Sequence, residues 1–282
     1  MLQPEVIINK GYQKETDVSK RLKESFVLHL ADNALILAQQ NTKWCGHGPI
    51  LEQDIALTNI SLDLLGQARN FYQYAASLIN YNTLQNTADF VPATEDTLAY
   101  LRTEREFKNC LLVEQPNGNW GQTILRQFLF SQYQYLLYEQ LQESEDETLA
   151  AIAIKALKEI TYHVRWSSEW VIRLGDGTME SRQKMLHATS ELWPFTGEFF
   201  IPADYENKEI IGFDIRFLQK TWLTKVEDIF KEATLIIPAS NDGDQSVVFM
   251  QTGGKHGVHT EYMGFILTEL QYLQRAYPNS QW

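Results

Sequence analysis

The sequence predicts an all-α protein built on a four-helix bundle with additional shorter helices. Apolar side chains recur at helical spacing in four long segments, at about 19–40, 52–79, 121–142 and 146–174. Strand signals are scarce, because only 234–237 and 246–250 have the length and composition of a strand. Long helices with apolar stripes bury those stripes against one another, and a helical bundle is the usual result.

The first two helices are separated by an abrupt break. Helix one is predicted at about 19–40, and two glycines and a proline in 44–49 end it, because these residues do not fit comfortably inside a helix. Helix two follows at about 52–79. Its inward seam consists of Leu57, Leu64 and Phe71, with Ile60, Gln67 and Tyr74 between them.

The remaining elements are shorter. A connection over 80–119 contains a short helical piece near 95–107 and leads to the third long helix. After the fourth long helix, Gly175 is a predicted C-terminal cap, and Thr178 is a predicted N-cap for a helix that ends near Leu192. One more helix is predicted at about 214–233, and a last segment that opens at Gly253 gives a helix to about Tyr277.

Length and composition restrict the class of protein. The 282 residues, 44% of them hydrophobic, predict a polar N-terminal arm over 1–18 and a single helical domain over 19–282. We expect a cytoplasmic protein, because no apolar run approaches the roughly 20 residues of a membrane span and the N-terminus is too polar for a signal peptide. The net charge of −12 disfavours nucleic acid and anionic lipid as partners. Two cysteines, Cys45 and Cys110, are too few for a disulfide framework.

The histidines argue against a metal centre. Bundles that bind two irons supply one Glu from each of two helices and a Glu-x-x-His pair from each of the other two. None of the six histidines here follows an Asp or Glu by three residues, and only His163 follows one by four, namely Glu159. At most one non-standard half of such a site is present.

A polar layer is nevertheless predicted inside the bundle. Gln67 lies in the apolar seam of helix two, one turn after Asp63, while Glu159 and His163 lie beside the apolar stripe of helix four. These four side chains could form a metal site, which would make the chain an autonomous metal-dependent oxygenase acting through Asp63, Glu159 and His163. They could also form a structural network in which Glu159 pairs with His163 or an arginine. We favour the network, because the layer offers fewer ligands than a di-iron centre needs.

Other polar residues are expected to have structural roles. His29 and Asp32 on helix one are expected to pair locally or face solvent. Cys45 and His47 have no second pair that would complete a zinc site. His259 follows a glycine turn, where loop hydrogen bonds and a helix start are expected.

Several motifs, in the same order along most of the chain, resemble the C component of the bacterial phenylacetyl-CoA epoxidases. They are 44–47 (WCGH), 62–70 (LDLLGQARN), 111–118 (LLVEQPNG), 158–159 (KE), 162–163 (YH), 174–178 (LGDGT), 252–255 (TGGK), 259–261 (HTE) and 271–275 (QYLQR). The resemblance implies a ferritin-like fold and a role in aerobic phenylacetate breakdown.

The resemblance also implies partners and cofactors. In this monooxygenase a related catalytic component, A, holds the di-iron site and converts phenylacetyl-CoA to its 1,2-epoxide; we call it the di-iron subunit. The C component is then its structural, non-catalytic paralogue, without a cofactor of its own. A further component, B, joins the assembly, and a reductase with FAD and an iron-sulfur cluster supplies electrons from NADPH.

The family pattern assigns specific residues. A Glu-Ala-Gly-His type motif overlies 64–67, so Leu64 and Gln67 stand where metal-binding relatives have Glu and His. The resemblance places substrate contacts at Glu106, Phe107, Lys108, Asn109, Asn207, Lys208 and Glu209. A further alternative is an acyl-CoA-binding module in which Lys108 meets the CoA phosphates.

Overall fold

The computed structural model describes residues 16–83, 91–238, 249–278 and Ser280, and in these residues the chain is all-α. Short 3-10 turns join the helices, and no strand occurs in the described ranges. The helices are α1 (Asp17–Thr42), α2 (Leu51–Thr83), α3 (Glu95–Tyr100), α4 (Trp120–Leu141), α5 (Glu147–Gly175), α6 (Met179–Leu192), α7 (Lys208–Ile211), α8 (Leu218–Glu232) and α9 (Glu261–Ala276). The all-α prediction is confirmed. None of these helices combines the length and hydropathy that a membrane span requires.

The four-helix bundle consists of α1, α2, α4 and α5. Helix α1 packs along α2, α4 packs along α5, and α2 contacts α5. Three of these helices begin at a polar cap: the side chains of Thr16, Asn119 and Asp146 accept hydrogen bonds from free backbone N–H groups at the starts of α1, α4 and α5. The four predicted segments match the observed helices within a few residues.

Helices α1 and α4 are covered on nearly every side. Between Phe26 and Asn41, only Leu28 and Gln39 are partly exposed, and between Thr123 and Tyr138 only Tyr135 is. The reason is that the shorter elements pack on these two helices: the 102–117 connection and α9 on α1, and α6 and α8 on α4. The outer faces of α2 and α5 stay exposed.

Several boundary predictions need correction. The piece near 95–107 is helical only over Glu95–Tyr100, followed by a 3-10 turn at Glu104–Glu106. Helix α8 begins at Leu218, because the Asp214 side chain binds the Arg216 N–H and tightens the preceding residues into a 3-10 turn. Most of the predicted N-terminal arm, residues 1–15, lies outside the described residues.

The strand candidate at 234–237 does not form a strand. Thr234 has a left-handed backbone, with φ +54°, and Leu235 N donates to Phe230 O at 2.8 Å, so these residues close the C-terminus of α8. Within the other candidate, residues 249–250 are not in a strand and 246–248 lie outside the described residues.

The two predicted caps around the α5–α6 junction differ in outcome. Thr178 is the N-cap of α6, as predicted, and accepts a hydrogen bond from Ser181 N. Gly175 is the last residue of α5, and Asp176 is its C-cap. A Cβ atom at Gly175 would lie 2.3 Å from Ala233 O, so close packing against the end of α8 accounts for this glycine.

Candidate functional site

The four polar residues predicted in the bundle core do meet between α2 and α5. His163 Nε2 lies 3.0 Å from Asp63 Oδ2, and Gln67 Nε2 donates to Glu159 Oε2 at 2.9 Å. The expected pairing of Glu159 with His163 or an arginine is not observed, because both α5 side chains reach across to α2 instead. The layer therefore consists of two separate inter-helix pairs.

The residues of this layer do not fit the di-iron centre that the ferritin-like fold holds in its metal-binding members. Leu64 and Ile160 are fully buried, and neither side chain has an atom that could coordinate a metal ion. Asp63 and His163 bind each other, and Glu159 binds an amide. Across the described part of the chain, no three His, Cys, Asp or Glu side chains are grouped closely enough to hold a metal ion.

The first segment of predicted substrate contacts is mostly buried. Phe107 is fully buried and lies under the Arg102 guanidinium, whose central carbon is 4.2 Å from the ring centroid, and Asn109 is fully buried as well. Glu106 is exposed, and Lys108 is half-buried. Burial lowers the pKa of the Lys108 ammonium, which has no carboxylate within 4 Å among the described residues.

The second segment lies close to the first. Lys108 Nζ is 5.3 Å from the centroid of the Tyr205 ring, two residues before Asn207. The Asn207 side chain caps α7 by accepting a hydrogen bond from Ile210 N, while Lys208 and Glu209 are exposed. The structure therefore places Lys108 beside Tyr205, just before the second segment, and gives Asn207 a structural role as a helix cap.

Two clefts lie near these segments. A cleft of about 520 Å³ is lined by Glu209 together with residues of α1 and of the α4–α5 junction. Another, of about 660 Å³, is lined by residues such as Gln115, Pro194 and Thr260, and by none of the seven predicted substrate residues.

Comparison with known proteins assigns the family. The phenylacetic acid catabolic protein family matches residues 8–282. The chain belongs to this family. It is also 46% identical, over 261 residues, to the C component of 1,2-phenylacetyl-CoA epoxidase from Escherichia coli (strain K12), an alignment that covers 92% of this chain and 98% of the relative. The resemblance inferred from the motifs is thus confirmed, and the polar layer and both candidate substrate segments lie within the region that the family matches.

In this family member, sequence reasoning missed a row of buried polar side chains on α1. The expectation that His29 and Asp32 pair locally or face solvent is wrong, because both are fully buried. His29 Nδ1 lies 2.6 Å from Lys108 O, and Asp32 binds Arg102. Both of these partners belong to the 102–117 connection, which packs on a second face of α1. Side chains of α1 bind its backbone: Asp32 accepts from Lys108 N at 2.8 Å, Asn33 accepts from Cys110 N at 2.8 Å, and Gln40 donates to Glu114 O and Gln115 O at 3.0 Å.

Two buried ion pairs were also missed. Lys255 Nζ lies 2.8 Å from Glu206 Oε2, with the two side chains 2% and 0% exposed. His259 Nδ1 lies 3.3 Å from Glu114 Oε2, while its Nε2 is 3.1 Å from Phe107 O, a loop hydrogen bond of the expected kind. Burial opposes a proton on His259, but Glu114, Phe107 O and Glu104 together outweigh burial and raise the His259 pKa. No charge pattern along the chain indicates these pairs, although both cations lie in family motifs.

His29 gives a pH-dependent prediction. Burial lowers the pKa of His29 below its ordinary value of 6.5. The charges of Glu206 and Asp32 oppose this effect, and the charge of Lys255 adds to it. The folded state therefore takes up a proton less readily than the unfolded chain. The stabilisation that neutral His29 contributes is fully present above pH 6.5 and is lost as the pH falls towards the pKa of the folded state. We expect the stability difference between wild type and His29→Gln to shrink between about pH 7.5 and pH 5.5.

Urea denaturation at several pH values measures this difference. His187→Gln, at an exposed position on α6, is the control and should have a stability close to wild type. A difference between wild type and His29→Gln that is constant over this range would contradict the assignment.

Proposed function

We propose that this chain is the structural, non-catalytic subunit of a phenylacetyl-CoA epoxidase, and that it stabilises the di-iron subunit. The polar layer carries this proposal. Its potential ligands are paired with each other or with an amide. The family resemblance implies that Leu64 and Gln67 stand where a metal-binding relative has Glu and His. The alternative of an autonomous oxygenase acting through Asp63, Glu159 and His163 has too few donors.

The proposed assembly places all cofactors outside this chain. The di-iron site belongs to the catalytic component, and FAD and an iron-sulfur cluster belong to the reductase, while the B component completes the complex. The relative is itself named as a subunit of the epoxidase, which supports a heteromeric assembly for this chain.

A contact with phenylacetyl-CoA is part of the proposal, and Lys108 supports it. This half-buried ammonium is partly desolvated and has no carboxylate partner among the described residues, so an anionic group of the substrate would supply a missing counter-charge. Because the Lys108 side chain already lies above the Tyr205 ring, it loses less conformational entropy when the substrate binds.

Co-expression with the di-iron subunit tests the proposed function. We expect that subunit to be soluble and to epoxidise phenylacetyl-CoA only when this chain is present, and we expect iron to remain with it when the two are separated. Elemental analysis of each separated chain and product formation by the reconstituted complex are the measurements. In the same complex, Lys108→Met should weaken phenylacetyl-CoA binding in a calorimetric titration.

One result would favour the alternative function instead. If the isolated chain held stoichiometric iron that Glu159→Ala removed, the chain would be a metal-dependent oxygenase. The matched control is Glu169→Ala, an exposed glutamate on the same helix that should leave any metal content unchanged.

A further inference from the structure

One face of the bundle is left largely uncovered in the described ranges. Helix α3 packs on α2, where Glu95 contacts Arg69 and Gln73. The 102–117 connection and α9 lie on α1, and α6 and α8 lie on α4 and the adjoining side of α5. Asp63 on α2 binds His163 on α5, so the two helices are neighbours at this level and their outer surfaces are continuous. We call these outer surfaces the α2/α5 face.

The α2/α5 face carries large apolar side chains. On α2, Leu51, Ile55 and Leu62 are 71%, 51% and 59% exposed, and their spacing of four and seven residues places them along one side of the helix. Tyr162 on α5, next to His163, is 40% exposed. The stripe from Leu51 to Gly66 extends for about 22 Å at the ordinary rise of a helix.

Gly66 is a helical glycine that no contact within the described chain explains. It lies in the middle of α2, one turn after Leu62, and glycine is among the least favourable residues inside a helix. A Cβ atom placed there would meet nothing within 4 Å, whereas one at Gly175 would collide with a backbone carbonyl. Nothing in the described part of the chain therefore requires a glycine at position 66, but a backbone approaching from outside would.

Two lysines lie beside the stripe. Of the carboxylates on this side, Asp63 and Glu159 are bound to His163 and Gln67, and Glu52 is exposed at the start of α2. Lys155 and Lys158 are exposed on α5, on the same side as Tyr162, and neither has a carboxylate within 4 Å among the described residues. A partner that presents an apolar helix flanked by carboxylates would be complementary to this surface in both hydrophobicity and charge. A second copy of this chain would bring a further net charge of −12 and the same two lysines.

We propose that the α2/α5 face binds a helix of the di-iron subunit, with the backbone of that helix closest at Gly66. The proposal rests on the proposed function, since it names the surface through which this chain holds its partner. The apolar stripe supplies the buried centre of the interface, and the lysines lie at its rim.

The test exploits the opposite effects of one substitution on stability and on binding. Gly66→Ala should raise the Tm of the isolated chain by about 2 °C, because alanine favours the helix. The same change should weaken the complex about tenfold or more, because the added methyl group separates the two backbones. Leu62→Asp should weaken it further. Thermal unfolding measures the Tm, and calorimetric titration of the purified di-iron subunit into each variant measures the affinity.

The controls are on α9, away from this face. Gly264→Ala also adds a methyl group at an exposed helical glycine, and Phe265→Asp adds a charge at a ring that is 70% exposed. Both controls should bind the di-iron subunit like wild type. Wild-type affinity for Gly66→Ala and Leu62→Asp, or equal weakening by the α9 controls, overturns the assignment of the surface while the proposed function stands.

Two further outcomes would overturn the named partner. If the wild-type chain formed no complex with the di-iron subunit, the proposed function would be contradicted and, with it, the occupant of this face. A wild-type homodimer in light scattering that Leu62→Asp converts to monomer would show that a second copy occupies the face instead.

Discussion

Arg102→Met is expected to lower the free energy of unfolding by about 3–5 kcal/mol, the usual cost of removing one partner of a buried ion pair. The Asp32 side chain is fully buried, and Arg102 binds both of its oxygens. Asp32 would keep its hydrogen bonds from Tyr72 and Lys108 N but would lose the only cation that contacts it in the described structure. Urea denaturation of the isolated chain gives the measurement.

The control and a double variant separate charge from packing. Arg165→Met, at an exposed ion pair on α5, should leave stability close to wild type. Asp32→Asn combined with Arg102→Met should recover part of the loss, because no uncompensated charge remains buried. A loss below about 1 kcal/mol for Arg102→Met would show that the pair contributes little.

Lys255→Met is expected to cost a similar amount, about 3–5 kcal/mol, at a second buried ion pair. The Lys255 ammonium contacts both oxygens of Glu206 and also donates to Phe199 O and Ile201 O at 3.1 Å. Its removal leaves a fully buried carboxylate without its cation and frees two carbonyl groups. Because Tyr205 donates to Lys255 O and lies under Lys108, we also expect this variant to bind phenylacetyl-CoA more weakly in the complex with the di-iron subunit.

The comparison for this variant is Lys184→Met, which removes an exposed lysine that pairs with Glu180 on α6. It should unfold at nearly the wild-type urea concentration. Combining Lys255→Met with Glu206→Gln should restore part of the lost stability. If the double variant were no more stable than Lys255→Met alone, the buried charge of Glu206 would not explain the loss.

The long helices were predictable because their apolar periodicity is a local property of the chain. Residues such as Leu57, Leu64 and Phe71 repeat along one side of α2 and are all buried. The polar layer was predictable for the same reason, since Gln67 interrupts an apolar seam and has to meet a polar partner. Its pairing was not, because helical spacing does not say whether Glu159 turns along α5 or across to α2.

The partners of the polar residues on α1 could not be predicted from spacing along that helix. His29 and Asp32 were expected to pair locally or face solvent, as on a bundle helix with one solvent-facing side. In the structure a distant segment covers that side, and Arg102, the partner of Asp32, is 70 residues away along the chain.

By itself, the sequence determined the helical class, the family and the absence of Glu-x-x-His pairs, because periodicity and ligand identity can be read directly from the order of residues. Only the tertiary structure decided which charged side chains are buried and which groups they bind, since both depend on which segments pack together. The physical reason is that a buried carboxylate such as Asp32 or Glu206 is stable only where folding brings a cation to it, and no local pattern records that distant partner.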